Sequence, residues 1–130
     1  MREIKFRARI NKAGEVEGLS VWQKFNIFDL MDYPGLKELV DWHTFGMFTG
    51  LCDKNSKEIY EGDIICYHDQ TGEVKASVFW GMGCWCLNYG TGKGDLVSAI
   101  GADCFQIIGN VYENPELLIN EKGDGGTGDI

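Results

Sequence analysis

Residues 50–63, GLCDKNSKEIYEGD, gather charged and hydrogen-bonding side chains in a pattern that two chemistries could use. Asp53-Lys54-Asn55 has the D-x-N spacing that opens a calcium loop, in which oxygen ligands stand at positions 1, 3, 5 and 12 around a glycine at position 6. Counted from Asp53, position 5 is Lys57, position 6 is Glu58 and position 12 is Ile64. A cation stands where an oxygen ligand is needed, and an aliphatic side chain replaces the bidentate carboxylate. The pattern therefore fails for calcium. Glu58, Glu61 and Asp63 form a second candidate, a carboxylate group that could divide acid and base roles if burial separated their pKa values. Lys54 and Lys57 sit beside them, and the expectation is a solvated loop in which Asp63 caps a turn.

Sulfur offers a third chemistry. Cys66-x-His68 and Cys84-x-Cys86 each place two potential ligands on one face of a strand, because residues i and i+2 point the same way. Structural zinc sites more often space their cysteines by two to four residues on turns, so buried or half-exposed thiols are the expected state. With five cysteines and no export signal at the start of the chain, reduced thiols are expected throughout. No Ser-His-Asp nucleophile motif is present. GTGKGD (residues 90–95) lacks the GK[ST] of a phosphate-binding loop. His43 falls on the apolar side of an expected helix and is read as packed. Trp22, Phe79, Trp85 and Tyr89 are candidate stacking surfaces for a base or a peptide, although aromatics in small β domains mostly serve as core. Phe79 is the sharpest of them, since it shares a strand face with Lys75 and Ser77. No catalytic residue, metal set or cofactor is assigned.

These residues need elements to hold them. Eighteen glycines against two prolines in 130 residues favour many tight turns and few long helices. Ile4, Phe6, Ala8 and Ile10 alternate with Lys5, Arg7 and Arg9, the period of a half-buried strand. Residues 16–28 are rich in aromatic and β-branched types and are expected to add one or two strands. Leu36, Leu39, Val40 and His43 have helical spacing, and TFGMFTG (44–50) reads as a strand. From Ile59 to Tyr112, four or five short strands follow one another across glycine turns, with Gly72 expected at positive φ. That run predicts a mainly β fold: a small SH3-like barrel over residues 58–120, with an N-terminal β-rich extension over residues 1–50. Asn114-Pro115-Glu116 starts a short helical turn, and residues 121–130 are expected to form a flexible tail.

The net charge of −8 opposes binding to phosphate backbones, where affinity comes mainly from Lys and Arg. A nucleic-acid module would have to rely on the basic first strand (Arg2, Lys5, Arg7, Arg9) and exposed aromatics. No apolar run is long enough to span a bilayer, so a cytoplasmic protein without membrane contact is expected.

Three blocks of the chain then combine: MREIKFRA at the start, FTGLCDKNSKEIYEGDII in the middle and IIGNVYENPELL near the end, about 38 residues in all. Together they resemble the YopX family, small proteins encoded by bacteriophages and prophages. The pattern rests on Gly50, Leu51, Asp53, Asn55, Glu58, Ile59, Tyr60, Glu61, Gly62 and Asp63, then on Gly109, Asn110, Tyr112, Glu113, Asn114 and Pro115. The chain departs from the family's usual residues at Arg9-Ile10, where Trp-Asp is frequent, and at Cys52 and Ser56, where Lys and Gly are common. None of the cysteines belongs to the shared pattern. The resemblance implies a single domain over residues 1–120 and a place in the cytoplasm of a bacterial host. It assigns no activity. A non-catalytic accessory module that binds a host or phage protein, as a possible homo-oligomer, is the expectation. A nucleic-acid module, or less readily a metal-dependent enzyme, is the alternative.

Overall fold

A computed structural model describes residues 4–11, 21–32, 34–81, 83–90 and 94–118. The expected flexible tail, Arg2, residues 16–20 and residues 91–93 of the GTGKGD loop lie outside these. The chain is mainly β and divides into two compact units, Met1–Gly50 and Leu51–Ile130.

In the first unit, β1 (Lys5–Ile10) is the middle strand of an antiparallel set, flanked by β2 (Trp22–Asn26) and by the first part of β3 (Val40–Cys52). The alternation read in β1 is real, and both of its faces are used. Ala8 is fully buried, and Phe6 stacks on Phe45 with ring centroids 5.0 Å apart. On the charged side, Lys5 lies over the Phe48 ring and Arg7 over the Trp22 ring, at 4.9 and 4.8 Å. Between Arg7 and Arg9 the register with β3 jumps, from Gly46 to Asp41. The buried Thr44 stands in for the lost ladder partner: its hydroxyl accepts the Arg9 N–H at 2.9 Å and donates to the Asp41 carbonyl at 2.6 Å.

Two local expectations are corrected here. The helix read over residues 36–43 is instead a 3-10 turn, Pro34–Glu38, followed at once by β3. Val40, Trp42, Thr44 and Phe45 are β-branched or aromatic, and pairing with β1 overrides the helical spacing. His43 is consequently an exposed strand residue rather than part of a packed helix face. The strand expected to reach Phe28 ends at Asn26, where α1 (Ile27–Asp32) begins. Asn26 and Asp29 satisfy each other's backbone N–H groups, both at 2.9 Å, in a reciprocal capping arrangement.

The second unit contains β4 (Glu58–Tyr60), β5 (Asp63–Asp69), β6 (Gly72–Gly81), β7 (Cys84–Asn88), β8 (Gly94–Leu96) and β9 (Gln106–Asn110). The last two residues of β3, Leu51 and Cys52, lead through a short loop into β4. The remaining strands make an antiparallel sheet in the order β8-β7-β6-β5-β9. β5 lies between two partners and is buried without break from Asp63 to Tyr67. Ile65, Ala76, Val78 and Leu87 fill one face, and Ile59, Tyr60, Ile64 and Phe105 are equally enclosed. The hairpin at Asp69–Gly72 forms as expected, with Gly72 at φ +115°.

The sheet does not close into a barrel among the described residues. β8 and β9 are its two edges. Between them the chain winds α2 (Val97–Ile100) and a 3-10 turn (Ala102–Cys104), not a further strand that could bridge the gap.

Gly62 is the crossing point of this unit. Its N–H donates to Val78 and its carbonyl accepts from Val111, both at 2.8 Å. It has φ +94°, and a Cβ there would lie 2.9 Å from Tyr112 Cε2. Gly62→Val should therefore lower unfolding free energy by more than about 1 kcal/mol in urea denaturation, through backbone strain and displacement of the Tyr112 ring.

Candidate functional site

The 50–63 stretch was the chemical candidate, and its central group is Asp53. Its N–H donates to the Lys57 carbonyl at 2.8 Å and its carbonyl accepts from Ser56 at 2.9 Å, which makes residues 54–56 a three-residue hairpin connection. Such a connection ends on a left-handed residue, and Ser56 has φ +66°. The Asp53 carboxylate is buried and fully engaged. Oδ1 accepts the Asn55 and Lys57 N–H groups at 2.8 and 2.9 Å, and Oδ2 accepts Ile107 N–H at 3.0 Å. Beside it the Lys54 N–H donates to the Phe105 carbonyl at 2.8 Å. The D-x-N pattern is thus an Asx turn whose spare oxygen reaches across to β9. Burial opposes the charge of Asp53, but the backbone donors of Ile107, Lys57 and Asn55, helped by the Lys57 ammonium, outweigh it and hold the carboxyl below its ordinary pKa.

The three acidic residues that follow do not form a pair. Asp63 is buried and its Oδ2 accepts the Tyr60 N–H at 2.8 Å across the Glu61-Gly62 turn. The turn-capping role is the one expected, but the solvated setting is not: Asp63 and Asp53 are both buried, because their carboxylates satisfy backbone N–H groups. Glu58 accepts from the Tyr60 hydroxyl at 3.0 Å, while Glu61 is half-buried in the turn itself.

The end of β9 is built in the same manner. Asn110 Oδ1 accepts the N–H groups of Tyr112 and Glu113 at 3.0 and 2.9 Å, and its amide donates to Glu113 at 3.2 Å. The Asn114 amide oxygen accepts Asn110 N–H at 3.2 Å. A Cβ on Gly109 would lie only 2.5 Å from that oxygen. Pro115–Leu118 then forms the expected short turn, as a 3-10 helix. The link from Asp53 to β9 has no signature in sequence, because the two residues are 54 apart. In the sequence, Asn110 and Asn114 stand out only as members of the third motif block.

The candidate aromatics have different surroundings. Trp22 belongs to the first unit, beneath Arg7. Trp85 is buried and meets Trp80 edge-on, with centroids 5.0 Å apart. Tyr89 joins its hydroxyl to that of Tyr67 at 3.0 Å. Phe79 is partly exposed, and its ring lies against Gly81, where a Cβ would come within 2.9 Å of it.

Nor do the two sulfur pairs converge. Cys66 stands opposite Lys75, and Cys86 opposite Phe79. Those two β6 positions are separated by four residues, roughly 13 Å along the strand. Among the described residues, no three His, Cys, Asp or Glu side chains gather as a metal set. Cys84 and Cys86 do meet, with their sulfurs 3.9 Å apart. Burial first, and then the neighbouring Cys84, push the Cys86 thiol above its ordinary pKa.

Compared with known proteins, the chain matches the family model described as YopX protein over residues 5–119. The chain belongs to the YopX family. The match takes in all three motif blocks but for the first residues. A search of curated proteins finds no match. Among solved structures, the crystal structure of protein EF1440 from Enterococcus faecalis is similar, at 19% identity and a TM-score of 0.46, with 91% of this chain and 98% of that one covered. No helix among the described residues is long and apolar enough to cross a membrane.

Two outcomes are expected. Ser56→Gly should raise stability by about 0.5–1 kcal/mol in chemical denaturation by relieving the left-handed serine. Asp53→Asn should cost about 2–4 kcal/mol at neutral pH, since three N–H groups lose a charged acceptor. Because the folded pKa of Asp53 lies below the unfolded one, its charge contributes fully above the unfolded value of about 3.9. That contribution disappears as pH falls through the folded pKa. The stability gap between native protein and variant should therefore be constant near neutrality and narrow below about pH 4.

Proposed function

We propose that this YopX protein is a non-catalytic accessory module of a phage or prophage, acting in the cytoplasm of the bacterial host by binding another protein. Of the carboxylates that could have done acid–base chemistry, Asp63 is bound to the Tyr60 N–H and Glu58 to the Tyr60 hydroxyl, which favours architecture over catalysis for the charged motif. The observation that carries the reading is the apolar surface of α1. Phe28 is 67% and Met31 72% exposed. Ile27 and Ile4 are exposed at the same end of the β1–β2 pair, where Lys5 stands opposite Asn26. A six-residue helix held by reciprocal caps presents these side chains in a defined shape. Ordinary soluble surfaces scatter large apolar groups singly; a capped helix with a cluster of them is suited to contact.

Asp29 and Asp32 sit among these residues, on a chain of net charge −8. The partner surface that complements them is basic with apolar anchors, and a second copy of the same acidic chain is disfavoured by repulsion. Nucleic acid is a poorer fit, because Lys5 and Arg7 of the basic strand lie over aromatic rings of their own unit.

The test is affinity capture on immobilised full-length protein and on Phe28→Asp/Met31→Asp, from host cells with and without phage induction. The captured protein is then purified and its binding measured at low and high salt. The double variant should keep its circular dichroism spectrum and lose at least tenfold in affinity, and native binding should weaken with salt. Equal binding by the variant would overturn the reading. So would a native oligomer that the same variant dissociates, which would make a second copy the occupant.

A further inference from the structure

The β6–β7 hairpin turns between Gly81 and Cys84, with Gly83 at φ +80°. Cys84 and Cys86 leave β7 on the same face and both remain half-buried. Their thiols share an acceptor within reach, and Cys86 Sγ also lies 3.7 Å from the Cys84 carbonyl. Cys84 Sγ donates to the Gly81 carbonyl at 3.4 Å and Cys86 Sγ donates to the same oxygen at 3.5 Å, with 3.9 Å between the sulfurs. The two sulfurs and the Gly81 oxygen thus enclose a small space. A triangle with sides of 3.4, 3.5 and 3.9 Å has a circumradius of about 2.1 Å, so one point lies that far from all three atoms. The bonds a thiophilic ion makes are of that length, Zn–S being about 2.3 Å. An ion slightly out of the plane of the three atoms meets the longer distance without moving the strand.

We propose that Cys84, Cys86 and the Gly81 carbonyl form a site for a thiophilic d10 cation, Cu(I) or Zn2+, that replaces the two thiol protons. The third donor is main chain, so a tally of ligating side chains does not reveal it. Soft thiolates select these ions over hard ones such as Mg2+ or Ca2+. A direct disulfide is the competing use of two nearby thiols, and strand geometry disfavours it. Residues i and i+2 of an extended strand have Cα atoms roughly 6.7 Å apart, at the upper end of the 4.4–6.8 Å or so that disulfides span. A bridging ion tolerates a sulfur separation that an S–S bond does not. The hairpin supplies three donors from within six residues, and the half-buried state of both cysteines leaves room for water or for a donor from another molecule.

Reduced, chelator-treated full-length protein would be titrated with Co2+, as a spectroscopic stand-in for Zn2+, and with Cu(I) in competition with a chromophoric chelator. One equivalent should bind, with a thiolate-to-Co2+ charge-transfer band if the site takes Zn2+, or with removal of Cu(I) from the chelator if it takes Cu(I). Either response supports the site and assigns its ion. Affinity should fall at least tenfold in Cys84→Ser and in Cys86→Ser, and stay unchanged in Cys52→Ser/Cys104→Ser. Circular dichroism of the metal-free variants checks folding, and should one of the serine variants fail to fold, the other removes a donor equally well. Absence of stoichiometric binding by either ion, or binding that survives loss of Cys84 and Cys86, would overturn the proposal.

Discussion

A buried carboxylate that accepts three backbone N–H bonds is both costly to uncharge and hard to move, and Asp53 is in that position. It does two jobs with two oxygens. One closes the loop at the end of β3 on its own backbone; the other reaches Ile107 and so joins that loop to β9. The neighbouring bond from Lys54 to the Phe105 carbonyl runs alongside and makes the junction double. Strand β9 pairs with β5 on one side only, so these bonds satisfy groups that would otherwise be left at a sheet edge. Charge here stabilises because the donors are fixed and close, the condition that a solvent-exposed ion pair lacks.

The second junction lies where Glu61-Gly62 meets the residues after β9. Gly62 is squeezed between Val78 and Val111 by hydrogen bonds and lies under the Tyr112 ring. Asn110 and Asn114 tie the chain immediately before and after that ring. The middle and last motif blocks of the YopX pattern therefore meet at two places, Asp53 with β9 and Gly62 with Tyr112. This explains why a pattern so rich in charge and amide groups has an architectural use. Asp, Asn and Gly are the residues that can satisfy or bend a backbone locally, and a small β unit with few helices has many backbone groups to satisfy outside its ladders.

Much of this was legible along the chain. Strands with apolar residues at every second position, such as β1 and the Val74–Val78 part of β6, and turns with a glycine in the required place, such as Asp69–Gly72, follow from local sterics and from the period of two. The failure at residues 36–43 is equally instructive. Leu36, Leu39, Val40 and His43 fit a helix by spacing, yet Val40–Phe45 became a bulged strand because β1 offered a partner and Thr44 could supply the missing acceptor. The barrel was inferred from the number and shortness of the strands, and those properties do not distinguish a closed sheet from one that ends in α2 and a 3-10 turn. At the candidate site, Asp63 was readable as a turn cap, since its partner Tyr60 is three residues away.

Sequence by itself determined the family, the mainly β character and the places where the chain must turn, because each depends on residue types within a short window. It also ruled out a calcium loop at Asp53 by position alone. The tertiary structure decided what the charges are for. Asp53 bonds to a residue 54 positions away, the thiols of Cys84 and Cys86 converge on a carbonyl in the preceding strand, and within the second unit Trp85 is buried against an exposed Trp80, Tyr89 is bonded to the buried Tyr67, and Phe79 is partly exposed. Such relations depend on register and on which strands become neighbours, and no local property of one segment specifies its partner.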